Sequence, residues 1–215
     1  MFPVCRQAGF VTFENYKIRH MKLSVKRKQE RIRIIETARE VFKKYGFKKA
    51  TMNDIADAAG KAKSSVYYYF RSKDEVYNAV IFTEAQKYRE KVLQSVKKIE
   101  NPELQLKAYV LIRLQTDKIY SNFYQAMNQS FKNNLFVKHL KTIYDNEEFY
   151  IFSNILNNGI KKGYFDIYDI KYAAVGIVTA MRGLESTLLH RYENPEVEKK
   201  IDNILKIILY GIVKR

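Results

Sequence analysis

The segment after Gly60 concentrates side chains that can hydrogen-bond a nucleic acid. An ammonium, hydroxyls and phenols follow one another closely there. Such groups near the start of a helix can reach base edges in a major groove, while flanking groups hold phosphates. We expect the base contacts from Lys63 and Ser64. The phosphate contacts are expected from Thr51, Ser65, Tyr67, Tyr68 and Lys73.

Two short helices must position these groups. Thr51 with Asp54 has the spacing of a capping box, and apolar residues then repeat at helical intervals until Gly60. A second helix is predicted from Lys63 to Phe70, with Val66 and Phe70 turned inward. Two short helices joined by a glycine turn form a helix-turn-helix pattern. The alternative is that these are only the solvated faces of a small helical bundle.

Further helices frame this pair. Apolar residues at helical spacing predict an amphipathic helix from Arg31, and Gly46 stands at its C-terminal cap position. Ser72 with Glu75 predicts another capping box, which starts a helix at about Lys73.

Positive charge is concentrated in the same part of the chain. The net charge is +16, and residues 1–75 hold 18 Lys and Arg against 8 Asp and Glu. A basic surface attracts a polyanion through counterion release, although a basic face can also be simply solvated. A further basic stretch runs from Lys22 to Arg33, and it can lie along a DNA backbone or be a solvated helix start.

The motifs of this region resemble the TetR family of transcriptional regulators. They are Ile35-x-x-Ala38-x-x-Val41-Phe42, Gly46-Phe47, Thr51-x-x-Asp54-Ile55-Ala56-x-x-Ala59-Gly60 and Ser65-Val66-Tyr67-x-Tyr69-Phe70-x-Ser72-Lys73-x-x-Val76. The resemblance implies a dimer that reads a palindromic operator in double-stranded DNA. It also implies a variable helical domain for ligand binding and dimerisation, and usually repression. Lys61 and Ala62 depart from the family pattern: the recognition helix lacks its usual hydroxyl cap, and Lys61 is a candidate phosphate contact instead.

The expected fold is all-α, with few Gly and Pro residues. We expect an N-terminal extension over residues 1–24, a helix-turn-helix domain over 25–73 and a helical ligand-binding and dimerisation domain over 74–215. Met21 opens the basic helix-forming stretch, so it is a candidate natural start; the alternative is a genuine N-terminal arm.

The last two predicted helices suggest a dimer interface. The penultimate helix, predicted over Lys171–Tyr192, has small residues along one face, and the final helix after Asn194-Pro195-Glu196 is strongly apolar. A helix that is apolar on several sides must be buried on several sides. The expected interface residues are Ala173, Gly176, Ala180, Gly183, Ile204 and Ile208. The alternative is an ordinary monomer core.

A cavity for an apolar or aromatic effector is predicted among the aromatic residues of the second domain. Its expected lining is Tyr109, Tyr120, Phe123, Tyr124, Met127, Phe149, Phe152 and Met181. A stripe of aromatics at helical spacing is more often simply core.

Other function classes find little support. Single Cys5 allows no intrachain disulfide, no apolar run is long enough for a membrane span, and the three histidines show no metal-ligand spacing. We therefore expect a cytoplasmic protein that is not an enzyme and needs no cofactor. The sequence predicts a dimeric regulator released from DNA by a small molecule. The alternative is an architectural or partner-controlled DNA-binding protein without a small ligand.

Overall fold

Helices form almost all of the chain that the computed structural model describes, which comprises residues 25–114, 119–128 and 134–188 and the single positions 199, 203, 206 and 207. Within these residues the helices are α1 (Val25–Lys49), α2 (Met52–Ala58), α3 (Lys63–Tyr69), α4 (Lys73–Lys97), α5 (Pro102–Leu114), α6 (Ser121–Asn128), α7 (Leu135–Lys161) and α8 (Ile170–Leu188). The all-α prediction is confirmed for this part of the chain.

The capping signals act largely as their sequence predicts. Gly46 interrupts α1 with a φ of 74°, a left-handed conformation that glycine adopts without a steric cost. The Ser72 hydroxyl accepts the backbone N–H of Glu75 at 3.2 Å and starts α4. The Glu75 carboxylate, however, accepts the N–H of Arg71 at 2.8 Å, so the reciprocal bond of the predicted capping box goes to a neighbouring residue.

Later helix starts follow the same logic. The Asn101 side chain accepts the N–H of Glu103 at 2.8 Å at the start of α5, and Asp169 accepts the N–H of Lys171 at 2.8 Å at the start of α8. Gly159 lies in the last turn of α7 and contacts Phe165, which follows the end of that helix. A Cβ at Gly159 would lie 2.0 Å from the Phe165 ring, so this glycine lets Phe165 pack directly on the helix.

The chain divides into two compact units. The first contains the described residues of Met1–Glu84 and Asn122–Ile143, and the second contains those of Ala85–Ser121 and Tyr144–Arg215. In the first unit α2 packs against α1 and α3 around Phe42, Ile55, Val66 and Phe70, all fully buried. In the second, the core includes Tyr109, Phe152, Leu156, Ala174 and Met181.

Several sequence predictions lie outside the described residues. These are the N-terminal extension over 1–24, with the proposed start at Met21, and the interface residues Ile204 and Ile208.

Candidate nucleic-acid interface

The helix before the turn is fixed by the predicted capping box. The Thr51 hydroxyl accepts the N–H of Asp54 at 3.2 Å, and the Asp54 carboxylate accepts the N–H of Thr51 at 2.8 Å. The Thr51 hydroxyl also donates to the Asp54 carboxylate at 2.8 Å. This bond, together with the bond from the Thr51 backbone N–H, holds the pKa of Asp54 below its ordinary value. The exposed Thr51 side chain therefore already has a structural role at the start of α2.

The turn into α3 depends on glycine. Gly60 has a φ of 62°, and the N–H of Lys61 returns to the carbonyl of Ala56 at 2.9 Å. The backbone of Ala62 then caps α3 without any side-chain hydrogen bond, which confirms the absence of a hydroxyl cap. The chain thus turns sharply and starts α3 without a side-chain cap.

The two sides of α3 differ as the sequence predicts. Val66 is completely buried, whereas Tyr67 and Tyr68 are 42% and 61% exposed. Lys63 and Ser64 are exposed on the same side of the helix, and Ser65 is half-buried. Among the residues predicted to contact DNA, Lys63, Ser64, Tyr67 and Tyr68 therefore share one open surface, which we call the α3 face.

The first turns of α1 lie beside α3. Glu30 accepts a salt bridge from Lys61 at 2.9 Å, and this contact lowers the pKa of Glu30. The guanidinium of Arg27 stands 5.6 Å from the ring centre of Tyr68, at the distance of a cation–π contact. The basic start of α1 is thus continuous with the α3 face, and Lys61 has an acidic partner that its sequence position did not reveal.

Lys73 has partners that sequence reasoning missed. Its ammonium donates to the carbonyls of Phe47 at 2.8 Å, Ala50 at 2.9 Å and, more weakly, Lys48 at 3.4 Å. An ammonium has three N–H donors, so these carbonyls can engage all of them. The phosphate contact predicted for Lys73 stays a prediction, and the geometry gives the residue a second role as the C-terminal cap of α1.

The predicted effector-lining residues are divided between the units. Phe123, Tyr124 and Met127 belong to the first unit. The second unit contains Tyr109, Tyr120, Phe149, Phe152 and Met181. In that unit the rings of Tyr109 and Phe152 meet edge to face with their centres 4.6 Å apart.

The second unit also buries polar groups that no sequence motif marks. Glu148 is only 5% exposed, and its carboxylate accepts the Tyr109 hydroxyl at 3.0 Å and pairs with Arg113. The three side chains come from α5 and α7, which are distant in sequence. Sequence spacing alone could not have predicted that these three side chains lie together.

Two of the four residues of the predicted interface stripe on α8 are exposed in the single chain. One face of α8 is buried through Ala174, Ile177 and Met181. Another face exposes Gly176 and Gly183, together with Tyr172, which is 76% exposed, and Val175, which is 47% exposed. Ala173 and Ala180, the other predicted interface residues of this helix, are half-buried.

The described residues form neither a metal site nor a membrane span. In the described part of the chain no three His, Cys, Asp or Glu residues cluster in a way that would hold a metal ion. None of the described helices combines the length and the apolar character that crossing a membrane requires.

Comparison with known proteins identifies the region around the α3 face. The family model described as "Bacterial regulatory proteins, tetR family" matches residues 34–80. A protein of Escherichia coli (strain K12), assigned as the acrEF/envCD operon repressor, is 40% identical over 55 residues. That match covers 26% of this chain and 24% of the relative. This chain therefore spans about a quarter of the length of the first curated relatives that it matches.

Longer matches extend beyond this region. The HTH-type transcriptional regulator QacR of Staphylococcus aureus (strain Mu50) is 21% identical over 85% of this chain and 97% of its own length. A solved structure from Clostridium perfringens, assigned as a fatty acid metabolism regulator, is 28% identical with a TM-score of 0.63. It covers 85% of this chain and is itself covered completely.

Proposed function

We propose that this chain, whose residues 34–80 match the tetR family model, is a transcriptional repressor that binds a palindromic operator as a dimer and leaves it when a small molecule binds. The observation that carries this proposal is the α3 face. Lys63, Ser64, Tyr67 and Tyr68 are open to a partner, while Val66 anchors the opposite side of the same helix in the core.

The α3 face has the dimensions and chemistry for a major groove. A helix fits that groove, and side chains near its N-terminal end reach the base edges. Lys63 and Ser64 lie in the first turn of α3, so we assign them to bases. Tyr67 and Tyr68 lie one turn later, where their phenol groups suit phosphates, and Thr51 and Ser65 are proposed as flanking phosphate contacts.

The start of α1 extends this surface. Since Arg27 stacks on Tyr68, its cationic group is held beside a proposed phosphate contact rather than moving freely in solvent. Lys26 and Lys28 on either side are exposed and add to the positive field. Lys61 forms a salt bridge with Glu30, so its contribution to phosphate binding depends on how readily that salt bridge opens.

The open apolar face of α8 supports a dimer. Large exposed apolar patches on a single chain mark interaction sites, and closely spaced small residues let two helices approach. Ala173, Gly176, Ala180 and Gly183 are proposed to meet the same helix of a second copy. The final helix predicted from the sequence, with Ile204 and Ile208, is proposed to join them. Ile207 of that segment is 74% exposed in the single chain, in keeping with a missing partner. Sedimentation of the purified protein should give a dimer, and a monomer at micromolar concentration would refute this interface.

An apolar or aromatic effector is proposed for the second unit. The aromatic residues Tyr109, Phe149 and Phe152 supply apolar surface there, and the neighbouring Glu148 and Arg113 supply polar groups that could orient a bound compound. A ligand that binds only the folded state raises the melting temperature by mass action. Screening a panel of apolar, aromatic and acyl compounds by thermal shift, followed by release from DNA, tests this part of the proposal.

The decisive experiment is selection of bound duplexes from genomic DNA, followed by footprinting at physiological salt. A regulator protects one or a few sites with two-fold symmetry. Dispersed protection without a shared palindrome would instead support an architectural role for the same fold. Physiological salt is essential in this footprinting, because the chain carries a high positive charge and charge alone binds DNA of any sequence at low salt.

A further inference from the structure

Glu84 is a carboxylate that the first unit buries almost completely, with 1% of the residue exposed. One oxygen accepts the Arg39 guanidinium at 3.0 Å and the Asn122 amide at 2.9 Å. The other accepts the backbone N–H of Phe123 at 2.8 Å. We call these four residues the Glu84 clamp. The clamp joins three helices, because Arg39 lies on α1, Glu84 on α4, and Asn122 and Phe123 in the first turn of α6.

The clamp is an inefficient way to stabilise a core. Desolvation of a buried ion pair offsets much of its attraction, and apolar replacements are often equally stable. The Asn122 amide adds a further cost. Its nitrogen donates to Glu84 and to the Arg39 carbonyl at 3.1 Å, while its buried oxygen meets no donor among the described residues. Because both neighbours are acceptors, turning the amide over would lose both bonds.

Directional hydrogen bonds such as these do fix the positions of the helices that they join. The opposite end of the α1–α4 contact is held by Lys73, whose ammonium caps the end of α1, and by Tyr77, whose ring packs on Phe42 at 5.1 Å. Glu84 lies three helical turns further along α4, so the two contacts together define the direction of α1 along that helix. Helix α4 itself has residues in both units of the chain.

We propose that Glu84 is a positioning residue for operator binding. Its charge holds the reading head, which is the group of helices α1, α2 and α3, in one orientation on α4, and Asn122 ties that orientation to α6. In a dimer this orientation sets the spacing of the two heads. This inference rests on the function proposed above, since it requires a two-fold operator.

The test compares a complete operator with an isolated half-site, using duplexes recovered by selection. Glu84→Gln removes the charge and keeps the side-chain shape. We expect it to bind the complete operator at least tenfold more weakly than the wild type, while its affinity for one half-site stays within about twofold. A head that is merely unfolded would lose affinity for both duplexes equally, and that result would overturn the inference. So would unchanged binding of the complete operator.

A matched control exists on the same chain. Glu147 accepts the Arg89 guanidinium at the same 3.0 Å, but this ion pair is exposed. Glu147→Gln should therefore bind both duplexes like the wild type. If Glu84→Gln does not fold, Asn122→Ala still removes one arm of the clamp and leaves the Arg39–Glu84 pair. We expect it to give the same pattern with a smaller, roughly threefold loss, and equal loss on both duplexes would refute the clamp. Failure of the wild type to select any two-fold site would instead refute the proposed function.

Discussion

Substitution of Lys73 distinguishes a phosphate contact from a structural cap. In Lys73→Met the side chain keeps its length and its packing on the Phe47 ring, which the ammonium overlies at 4.6 Å, but loses the hydrogen bonds to the carbonyls of Phe47 and Ala50. Each of these two short bonds contributes about 1 kcal/mol, the typical net value for an intramolecular hydrogen bond, because water reaches the half-buried site and weakens the effect of the charge. The expected loss is about 2 kcal/mol of unfolding free energy, or a fall of roughly 4–8 °C in Tm for a chain of this size.

The salt dependence of operator binding provides the second readout. A phosphate contact contributes about 0.9 to the slope of log affinity against log salt for each subunit. If Lys73 is a cap, Lys73→Met lowers Tm and leaves this slope equal to that of the control Lys43→Met, which removes one exposed charge from the same helix that Lys73 caps. A slope reduced by about 1.8 per dimer at unchanged Tm would refute the structural role and support the phosphate contact.

Three further predictions concern the reading head and the second unit. Lys63→Ala should reduce discrimination between the operator and a mutated operator by about 1–3 kcal/mol, and equal weakening on random DNA would contradict a base contact. Asp54 has its pKa held below the ordinary value of 3.8 by Thr51, so its contribution to stability is present above that pH and is lost as the pH falls through the lower folded-state value. Denaturation of wild type and Asp54→Asn should thus differ at pH 7 and converge in acid; a constant difference down to pH 2 would refute the linkage. Gly159→Ala should lose about 1–3 kcal/mol, because the new Cβ overlaps the Phe165 ring, and an unchanged Tm would show that the ring moves aside without cost.

The sequence predicts those parts of the fold that depend on neighbours along the chain. The cap at Thr51, the turn at Gly60 and the two sides of α3 all follow from spacings of two to four residues, and the structure confirms them. Gly159 shows the limit of this reasoning, because its contact with Phe165 has no sequence signal. Glycine is typical of turns, but here it admits an aromatic ring to the surface of a helix, and no local pattern separates these two uses.

In the candidate site, the partners of two charged groups could not be predicted from neighbouring residues along the chain. From sequence, Lys61 and Lys73 are two cations near a recognition helix, and both are predicted to contact phosphates. The structure gives Lys61 a carboxylate from α1 and Lys73 the carbonyls at the end of α1. The charge available for the proposed DNA contact therefore shifts toward Lys63 and Arg27. The distance between partners along the chain explains why: Lys73 and Phe47 are 26 residues apart. A count of positive residues therefore identifies the surface, while only their contacts tell which cations hold the head together and which remain for the operator.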